Sequence, residues 1–224
     1  MAALDQMLDA SPWFAALDAA ARTRVRASLV LREYPPAACV CRKGEPSDHW
    51  IGVVDGLVKL NAFSPSGKCV TFTGVPAGSW FGEGSVLKRE ARKYDVIALR
   101  ESHIVLMPEA TFHWLLDTSF SFNRHLLMQL NERVGQFIGM VEHERLLEPD
   151  AKVARALASL FNPQLYPGTG PEIQISQEEL GYLAGVSRQR VNQALQRLEK
   201  AGLVKAEYSA VRILDLEGLR CFDR

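Results

Sequence analysis

A short run of arginine and amide side chains could read base edges in the major groove of double-stranded DNA. Arginine donates two hydrogen bonds to guanine O6 and N7, and glutamine or asparagine pairs with adenine N6 and N7. The side chains predicted to meet bases are Arg188, Gln189 and either Asn192 or Gln193. Those better suited to phosphate contacts are Ser187, Arg190 and Arg197. Each bidentate pair with a base discriminates by about 1–3 kcal/mol.

The elements that must hold these side chains are two short helices joined by a tight turn. Ser176 and Glu179 have the spacing of a capping box, which predicts the start of a first helix. This helix is expected to end near Gly185, and Ser187 then caps a second helix that ends at Gly202. Two helices that cross through such a turn form a helix-turn-helix.

Charge favours DNA as the partner of this unit. The whole chain has 26 basic and 26 acidic residues, which excludes a globally basic coat for nucleic acid. Residues 187–200, in contrast, hold four basic side chains and one acidic one. Residues 203–213 follow the second helix and predict a two-stranded wing.

Cysteine and histidine are the remaining side chains with redox or metal chemistry. The cysteines are few and unevenly spaced, which indicates reduced thiols rather than a disulfide framework. Cys39 and Cys41 are predicted to be buried core thiols, and a redox switch that involves Cys69 is the alternative. The five histidines have no ligand spacing, so no metal site is predicted, and haem sensing is kept only as an alternative.

Several classes of protein do not fit the sequence. No nucleophile elbow, P-loop, zinc-protease motif or Cys-x-x-Cys pair occurs, so we expect a protein that is not an enzyme. No stretch of 18 apolar residues occurs, and the first residues do not resemble a secretory signal. We therefore expect a cytoplasmic protein that does not bind membranes.

The spacing of apolar residues in the first half of the chain changes from a helical pattern to a β-strand pattern. Residues 1–34 are predicted to be helical, up to the stop at Tyr34-Pro35-Pro36. Residues 37–108 contain short runs of β-forming residues, which predicts a β-barrel or a sandwich. The breakers between these runs include Asp55-Gly56, Pro65-Ser66-Gly67-Lys68 and Phe81-Gly82-Glu83-Gly84.

A heptad pattern predicts a long helix that begins at Phe120. Its apolar residues repeat at alternate spacings of three and four, which favours a seam between two copies of the chain, although a helix packed on its own core gives the same pattern. The predicted seam consists of Phe120, Leu127, Leu130, Val134, Phe137 and Val141. Glu148-Pro149-Asp150 should break the helix as a hinge. A further helix over 151–162 and a polar loop over 162–171 should follow.

With these elements in order, the chain resembles the Crp/Fnr family of transcription regulators. The resemblance covers nearly the whole chain and rests on Gly44-Glu45, Gly56, Gly67-Lys68, Gly78, Phe81-Gly82-Glu83, the long helix and Ser187-Arg188-Gln189-Arg190-Val191. It implies an α+β protein with a β-barrel or jelly-roll sensor domain over 1–110, a dimerisation helix over 111–148 and a winged helix-turn-helix over 149–224. It also implies a homodimer that binds a palindromic operator and contacts RNA polymerase.

The resemblance further implies an effector site between the sensor domain and the long helix. The corresponding residues here are Gly82, Glu83, Arg92, Lys93, Tyr94, Phe137 and Ile138. In the cyclic-AMP branch a glutamate holds the ribose, and an arginine with a small hydroxyl residue holds the phosphate. That later pair falls here on Lys93-Tyr94, or on Arg92-Lys93 after a slip of one residue.

The departures from the cyclic-AMP branch make cyclic AMP an unexpected effector. Phe137 and Ile138 replace two hydroxyl residues that should face adenine, and an unpaired buried polar group costs about 1–3 kcal/mol. An iron–sulfur cluster is not expected either, because the first cysteine is Cys39. The identity of the effector stays open. A redox or haem sensor and a constitutive DNA binder are the alternatives.

Overall fold

The computed structural model describes residues 2–63, 67, 69–146, 148–167, 169–207 and 209–223, with the backbone alone for 143–146. Most of the breaker Pro65-Ser66-Gly67-Lys68 lies outside the described residues. The helices are α1 Ala2–Ala10, α2 Pro12–Ala15, α3 Ala19–Ser28, α4 Glu83–Lys88, α5 Glu109–Thr118, α6 Phe120–Leu146, α7 Pro149–Ser159, α8 Gln177–Ala184, α9 Arg188–Lys200 and α10 Leu216–Cys221. The strands are β1 Val30–Tyr34, β2 Cys39–Cys41, β3 His49–Asp55, β4 Leu57–Phe63, β5 Cys69–Pro76, β6 Ser79–Phe81, β7 Asp95–Ala98, β8 Ser102–Pro108, β9 Glu172–Gln174, β10 Val204–Ala206 and β11 Ala210–Ile213.

The sensor domain is a sandwich of two antiparallel sheets. One sheet has the strand order β1-β8-β3-β6 and the other has the order β2-β7-β4-β5. Ile51 and Val53 of β3 pack between the sheets against Val58 and Leu60 of β4. The described strands form no closed barrel, so of the two predicted forms only the two-sheet arrangement is present.

The outer face of the first sheet is covered by helices. Side chains alternate along β3, so that Trp50 faces away from the sandwich interior while Ile51 faces into it. Trp50 stacks on Trp80 of β6 with ring centroids 4.5 Å apart. Trp13 packs edge-on against Trp80, and Phe122 packs edge-on against Trp50. Because both faces of β3 are covered, its interior residues are all buried.

The prediction of helix up to Tyr34 is wrong. Helix α3 ends at Ser28, and residues Val30–Tyr34 form β1. This strand pairs along its length with β8, where Val30 lies opposite Leu106. The strand exists because the edge of β8 offers it hydrogen bonds, and this long-range contact has no local signature in the sequence.

The long helix α6 has two different faces. Phe122, Leu126 and Gln129 are buried against the sensor domain. The opposite face is apolar but exposed, and its Leu127 side chain is 69% accessible. The other exposed apolar residues of this helix are Phe120, Met128, Val134, Phe137, Ile138 and Val141. Leu130 of the predicted seam is half-buried.

The C-terminal domain packs α7, α8 and α9 around an apolar core. Val191, Leu195 and Leu198 of α9 are buried against Leu157 of α7 and Leu180 of α8. Helix α7 spans Pro149–Ser159, so it begins and ends earlier than the predicted 151–162. The wing has three strands in the order β10-β11-β9, not two, because β9 adds to β11 from the segment before α8.

The C-terminal domain docks on the second sheet of the sandwich. Gly74 of β5 lies so close to the helices that a Cβ on it would be 2.9 Å from Leu183 and 3.1 Å from Leu160. Arg100 donates to both carboxylate oxygens of Glu179, at 3.2 and 2.6 Å. The docking therefore combines a close backbone approach with a bidentate ion pair.

Candidate DNA-binding helix and effector site

Helix α9 presents the predicted base-reading side chains to solvent. Ser187 caps the helix, and its Oγ accepts a hydrogen bond from the backbone N–H of Arg190 at 3.3 Å. Arg188, Gln189, Asn192 and Gln193 are exposed on the face away from the apolar core. Asn192 Oδ1 accepts from Gln177 Nε2 at 3.4 Å, and Gln193 Oε1 accepts from Arg190 Nη1 at 3.1 Å.

The turn before α9 has the predicted geometry. The first helix, α8, starts with a complete capping box formed by Ser176 and Glu179. It ends at Ala184, and Gly185 caps it in a left-handed conformation with φ of 67°. Helix α9 ends at Lys200, and Gly202 beyond it is also left-handed, with φ of 72°. These local signals place the two helices as the sequence predicts.

Two arginines predicted to contact phosphates are held by a carboxylate of their own chain. Asp150 of α7 is buried, and its Oδ1 lies 3.3 Å from Arg190 Nη2. Its Oδ2 accepts a hydrogen bond from Arg197 Nη1, and Arg197 Nη2 also pairs with Asp223 at 3.2 Å. The hydrogen bond with Asp150 raises the pKa of Arg197. The sequence predicts only a hinge role for Asp150, because no local pattern links it to α9.

The candidate effector site contains one buried and incompletely paired arginine. Arg92 is 5% exposed, and its Nη2 donates to the carbonyl of His49. Its Nε and Nη1 have no hydrogen-bond partner among the described residues. A Cβ on Gly82, which has φ of 85°, would lie 2.7 Å from Arg92 Nη1. Glycine at position 82 thus lets the guanidinium approach the backbone, with the unpaired Nη1 beside it.

Glu83, the first residue of α4, faces the long helix. Its buried carboxylate accepts a hydrogen bond through Oε1 from Arg133 Nε at 2.7 Å, and Oε2 has no hydrogen-bond partner within the described part of the chain. Arg133 Nη2 and Gln129 Nε2 both donate to the carbonyl of Trp80, at 2.8 and 2.7 Å. Burial has the largest single effect and lowers the pKa of Arg133, but the Glu83 carboxylate and the phenols of Tyr166 and Tyr94 together raise it by more, so the guanidinium is charged.

The two alternative positions for the phosphate-binding pair differ in burial. Lys93 is exposed and pairs with Glu90 at 2.7 Å, away from the sandwich interior. Tyr94 packs against the core between the sheets, and burial raises the pKa of its phenol, so it stays neutral. Of these candidates, Arg92 is therefore the cation that the fold brings to Gly82, which directly precedes Glu83.

The long helix contributes different residues to the interior than the resemblance implies. Phe137 lines a cleft of about 1210 Å³ between β5, α6, α7 and α8, and Ile138 is exposed. Neither is brought to Glu83. Gln129, Arg133 and Gln136 make the polar contacts with the sandwich instead. Their spacing of four and three places them on one helix face, which is the signal that could have identified them.

A segment predicted to be a polar loop contributes to the sandwich interior. Leu165 and Tyr166 follow α7 and are buried in the cluster that lies between the two sheets. Tyr166 is 1% exposed, its hydroxyl donates to the carbonyl of Gly74 at 3.3 Å, and it accepts from Gln136 Nε2 at 3.4 Å. The composition of 162–171 conceals this burial, because only two of its residues are large and apolar.

The cysteines are less buried than predicted. Cys39 and Cys41 are half-buried, and a register shift in β2 separates them. Burial raises the pKa of Cys39 and raises that of Cys41 to about 12. Cys69 and Cys221 are exposed. A raised pKa keeps the thiol protonated and weakly nucleophilic at neutral pH.

Neither a metal-ligand cluster nor a membrane-crossing helix occurs in the described residues. Within the described residues, no group of three or more histidine, cysteine, aspartate or glutamate side chains is placed to hold a metal ion. No helix in that part of the chain combines the length and the apolarity that a membrane crossing requires.

Comparisons with known proteins match both domains. The profile of the cyclic nucleotide-binding domain matches residues 31–119, and that of the Crp-like helix-turn-helix domain matches residues 151–222. A CRP-like cAMP-activated global transcriptional regulator of Mycobacterium tuberculosis is 26% identical over 220 residues, which are 96% of this chain and 98% of that protein. The transcriptional regulator LdrP of Thermus thermophilus is 29% identical over 180 residues, covering 79% of this chain and 88% of LdrP.

Solved structures show the same fold. FixK2 from Bradyrhizobium japonicum superposes with a TM-score of 0.72 at 15% identity and covers 88% of this chain and 98% of its own. Because the two domain profiles and full-length regulators all match, the chain belongs to the Crp/Fnr family of transcription regulators.

Proposed function

We propose that this chain is a homodimeric, sequence-specific DNA-binding regulator whose DNA-binding domains are controlled by a small anionic effector other than cyclic AMP. The observation that carries the effector part is Arg92, a buried guanidinium with Nε and Nη1 unpaired beside Gly82. An unpaired donor on a buried guanidinium is costly, and an anion that accepts from Nη1, the nitrogen beside Gly82, removes part of that cost.

Helix α9 supports the DNA-binding part of the proposal. Arg188 and Gln189 are exposed near its N-terminus, where a recognition helix meets base edges. Arg190 and Arg197 are bound to Asp150 here, and a DNA phosphate can replace that carboxylate because guanidinium binds both anions with the same geometry. A dimer that uses two such helices reads a palindromic operator, and contact with RNA polymerase is the expected route to regulation.

Three features argue against cyclic AMP, although several relatives are named as cAMP-activated. Glu83, the candidate ribose ligand, already binds Arg133 at 2.7 Å. Tyr94 is bulky at a position where the cyclic-AMP branch has a small hydroxyl residue. Phe137 and Ile138 offer no hydrogen bond to adenine. A cyclic nucleotide would leave its polar groups unpaired, at about 1–3 kcal/mol for each.

Thermal unfolding of the full chain in a panel of anionic metabolites tests the effector site. We expect at least one anion to raise the Tm of the parent but not that of Arg92→Gln, and cyclic AMP to leave the parent unchanged. Lys93→Gln is the matched control, because this neighbouring cation is exposed and should respond as the parent does. Equal stabilisation of the parent and of Arg92→Gln would contradict the assignment of Arg92, and stabilisation by cyclic AMP would contradict its exclusion.

A further inference from the structure

The interior of the sensor domain is filled in part by a segment of the DNA-binding domain. Leu165 and Tyr166 lie in a buried cluster with residues of both sheets, among them Ile51 of β3, Val96 of β7 and Ile104 of β8. Both side chains are almost fully inaccessible. A connecting loop normally runs over a surface, so the insertion of two consecutive large side chains between two sheets requires a specific explanation.

The inserted segment is held on the long helix at two points. Asn162 Nδ2 donates to Glu132 Oε2 at 3.2 Å, and its Oδ1 accepts from the backbone N–H groups of Gln164 and Leu165 at 2.9 and 3.0 Å. The Tyr166 hydroxyl accepts from Gln136, which follows Glu132 by one helical turn. The segment is therefore shaped by its own Asx turn and attached to α6.

Tyr166 lies beside the candidate effector site. It shares the buried cluster with Phe81, which directly precedes Gly82, and with Tyr94, which follows Arg92 by two residues. Its phenol also lies close enough to Arg133 to contribute to the raised pKa of that guanidinium. An effector that binds Arg92 and extends along Tyr94 and Phe81 would therefore meet Tyr166.

The same insertion holds the DNA-binding domain against the sandwich. The carbonyl of Gly74 accepts from Tyr166, while the side chains of Leu160 and Leu183, which follow α7 and lie near the end of α8, fill the space where a Cβ of residue 74 would be. The segment joins α7 to the strand before α8, so it cannot leave the sandwich without moving the domain that carries α9. Gly74 of β5 therefore contacts both the inserted segment and the helices of the docked domain.

We propose that Leu165 and Tyr166 form an intramolecular plug, and that the plug and the effector occupy the sandwich interior in turn. This inference rests on the proposed effector site at Arg92. An aromatic anion is the chemical class that fits, because its ring replaces the phenol and its charge pairs with Arg92. Entry of such a ligand expels the plug and releases the DNA-binding domain from β5.

The test uses 8-anilinonaphthalene-1-sulfonate as the aromatic anion, with the full-length chain. Fluorescence titration should give an apparent Kd about tenfold lower for Tyr166→Ala than for the parent, because the probe no longer competes with the plug. Gln164→Ala is the matched control, since this side chain is exposed in the same segment, and its Kd should equal that of the parent. An unchanged Kd in folded Tyr166→Ala would overturn the plug.

If Tyr166→Ala does not fold, amide hydrogen exchange of the parent, with and without the probe, tests the plug instead. Saturation with the probe should accelerate exchange of peptides over 162–167 and over α8 by about tenfold. Bound probe with unchanged exchange in both peptides would overturn the plug. The Arg92→Gln,Tyr166→Ala double variant separates the two proposals: weakened binding relative to Tyr166→Ala supports the anion site, whereas unchanged tight binding contradicts the anion site and leaves the plug supported.

Discussion

At the scale of single residues, the chemistry of this chain is concentrated in a few arginines and in the acids that hold them. Arg133 binds Glu83, and Arg197 binds Asp150, both of them buried carboxylates. Arg92 alone of the buried guanidiniums described above has two nitrogens without a partner. An anion that replaces the acid of such an ion pair restores hydrogen bonds that the guanidinium would otherwise lose.

Two arginines of α9 should affect DNA binding in different ways. Arg188→Ala should lower the preference for one guanine in each half-site by about 1–3 kcal/mol. Arg197→Ala should weaken binding to all sequences alike. It should also reduce, by about one, the steepness with which the logarithm of the binding constant falls against the logarithm of the salt concentration. Binding isotherms on an operator selected from random duplexes, and on single-base variants of it, measure both effects. If both variants retain the parent's affinity and preference, α9 is not the DNA-reading helix.

The cysteines should differ in reactivity according to their exposure. With a pKa of about 12, only about one Cys41 thiol in ten thousand is ionised at pH 8. A disulfide reagent such as Ellman's should therefore label Cys69 and Cys221 rapidly, and label Cys39 and Cys41 only after unfolding. Cys69→Ser should remove half of the fast phase. Rapid native labelling of Cys41 would instead support the thiol-sensor alternative.

Single residues were predictable where the signal is local. The capping box at Ser176 and the cap at Ser187 are confirmed, because caps act within four residues. Asp150, Arg133 and Tyr166 were not identified, because each acts through partners at least 30 residues away. A short sequence pattern carries no information about such contacts.

At the scale of elements, the change in the spacing of apolar residues separates the helical regions from the β regions. Pairing with neighbouring strands then determines where the edge strands form. The heptad pattern from Phe120 and the break at Pro149 correspond to α6 and α7. Strand β1 and the third strand of the wing were missed, because the hydrogen bonds that create them come from β8 and β11. Edge strands depend on their partner more than on their own composition.

The start of α8 combines a local cap with a long-range ion pair, and the two can be separated. Glu179→Gln preserves the capping box, which accepts glutamine, but removes the charge that Arg100 binds. We expect it to lower the free energy of unfolding by about 1.5 kcal/mol, the lower end for charged hydrogen bonds, since Arg100 is partly exposed.

Arg100→Ala should lower the free energy of unfolding by a similar amount. The double variant should lower it by little more than either single variant does. Ser176→Ala is the control, because it removes the cap and leaves the ion pair in place. Urea denaturation curves measure all four variants. Additive effects of Glu179→Gln and Arg100→Ala would show that the two side chains do not act as a pair.

At the scale of the whole molecule, three surfaces would connect effector binding to DNA binding in the proposed mechanism. The sandwich interior holds Leu165 and Tyr166, the outer side of β5 contacts α8, and the exposed face of α6 is the surface that we propose for a second copy of the chain. The family and the order of its domains were predictable from the sequence. The docking of the domains was not, because it depends on the close approach at Gly74 and on the buried Tyr166.

The exposed face of α6 should form the dimer. Leu127→Asp places a charge in the middle of this face and should convert the dimer to a monomer, because the partner helix cannot hydrate it. Leu87→Asp is the control, since Leu87 is an exposed apolar residue that belongs to α4 and not to α6. Sedimentation velocity gives the masses. A dimer that persists in Leu127→Asp would contradict the seam.

Native mass spectrometry of the full chain mixed with its selected operator tests the central claim most directly. The account predicts one complex that contains two chains of 24.9 kDa and one duplex. The same mixture with Arg188→Ala should show this complex at reduced abundance. A single chain on each duplex, or a dimer that binds operator and scrambled duplex equally, would contradict the account of a homodimeric, sequence-specific regulator.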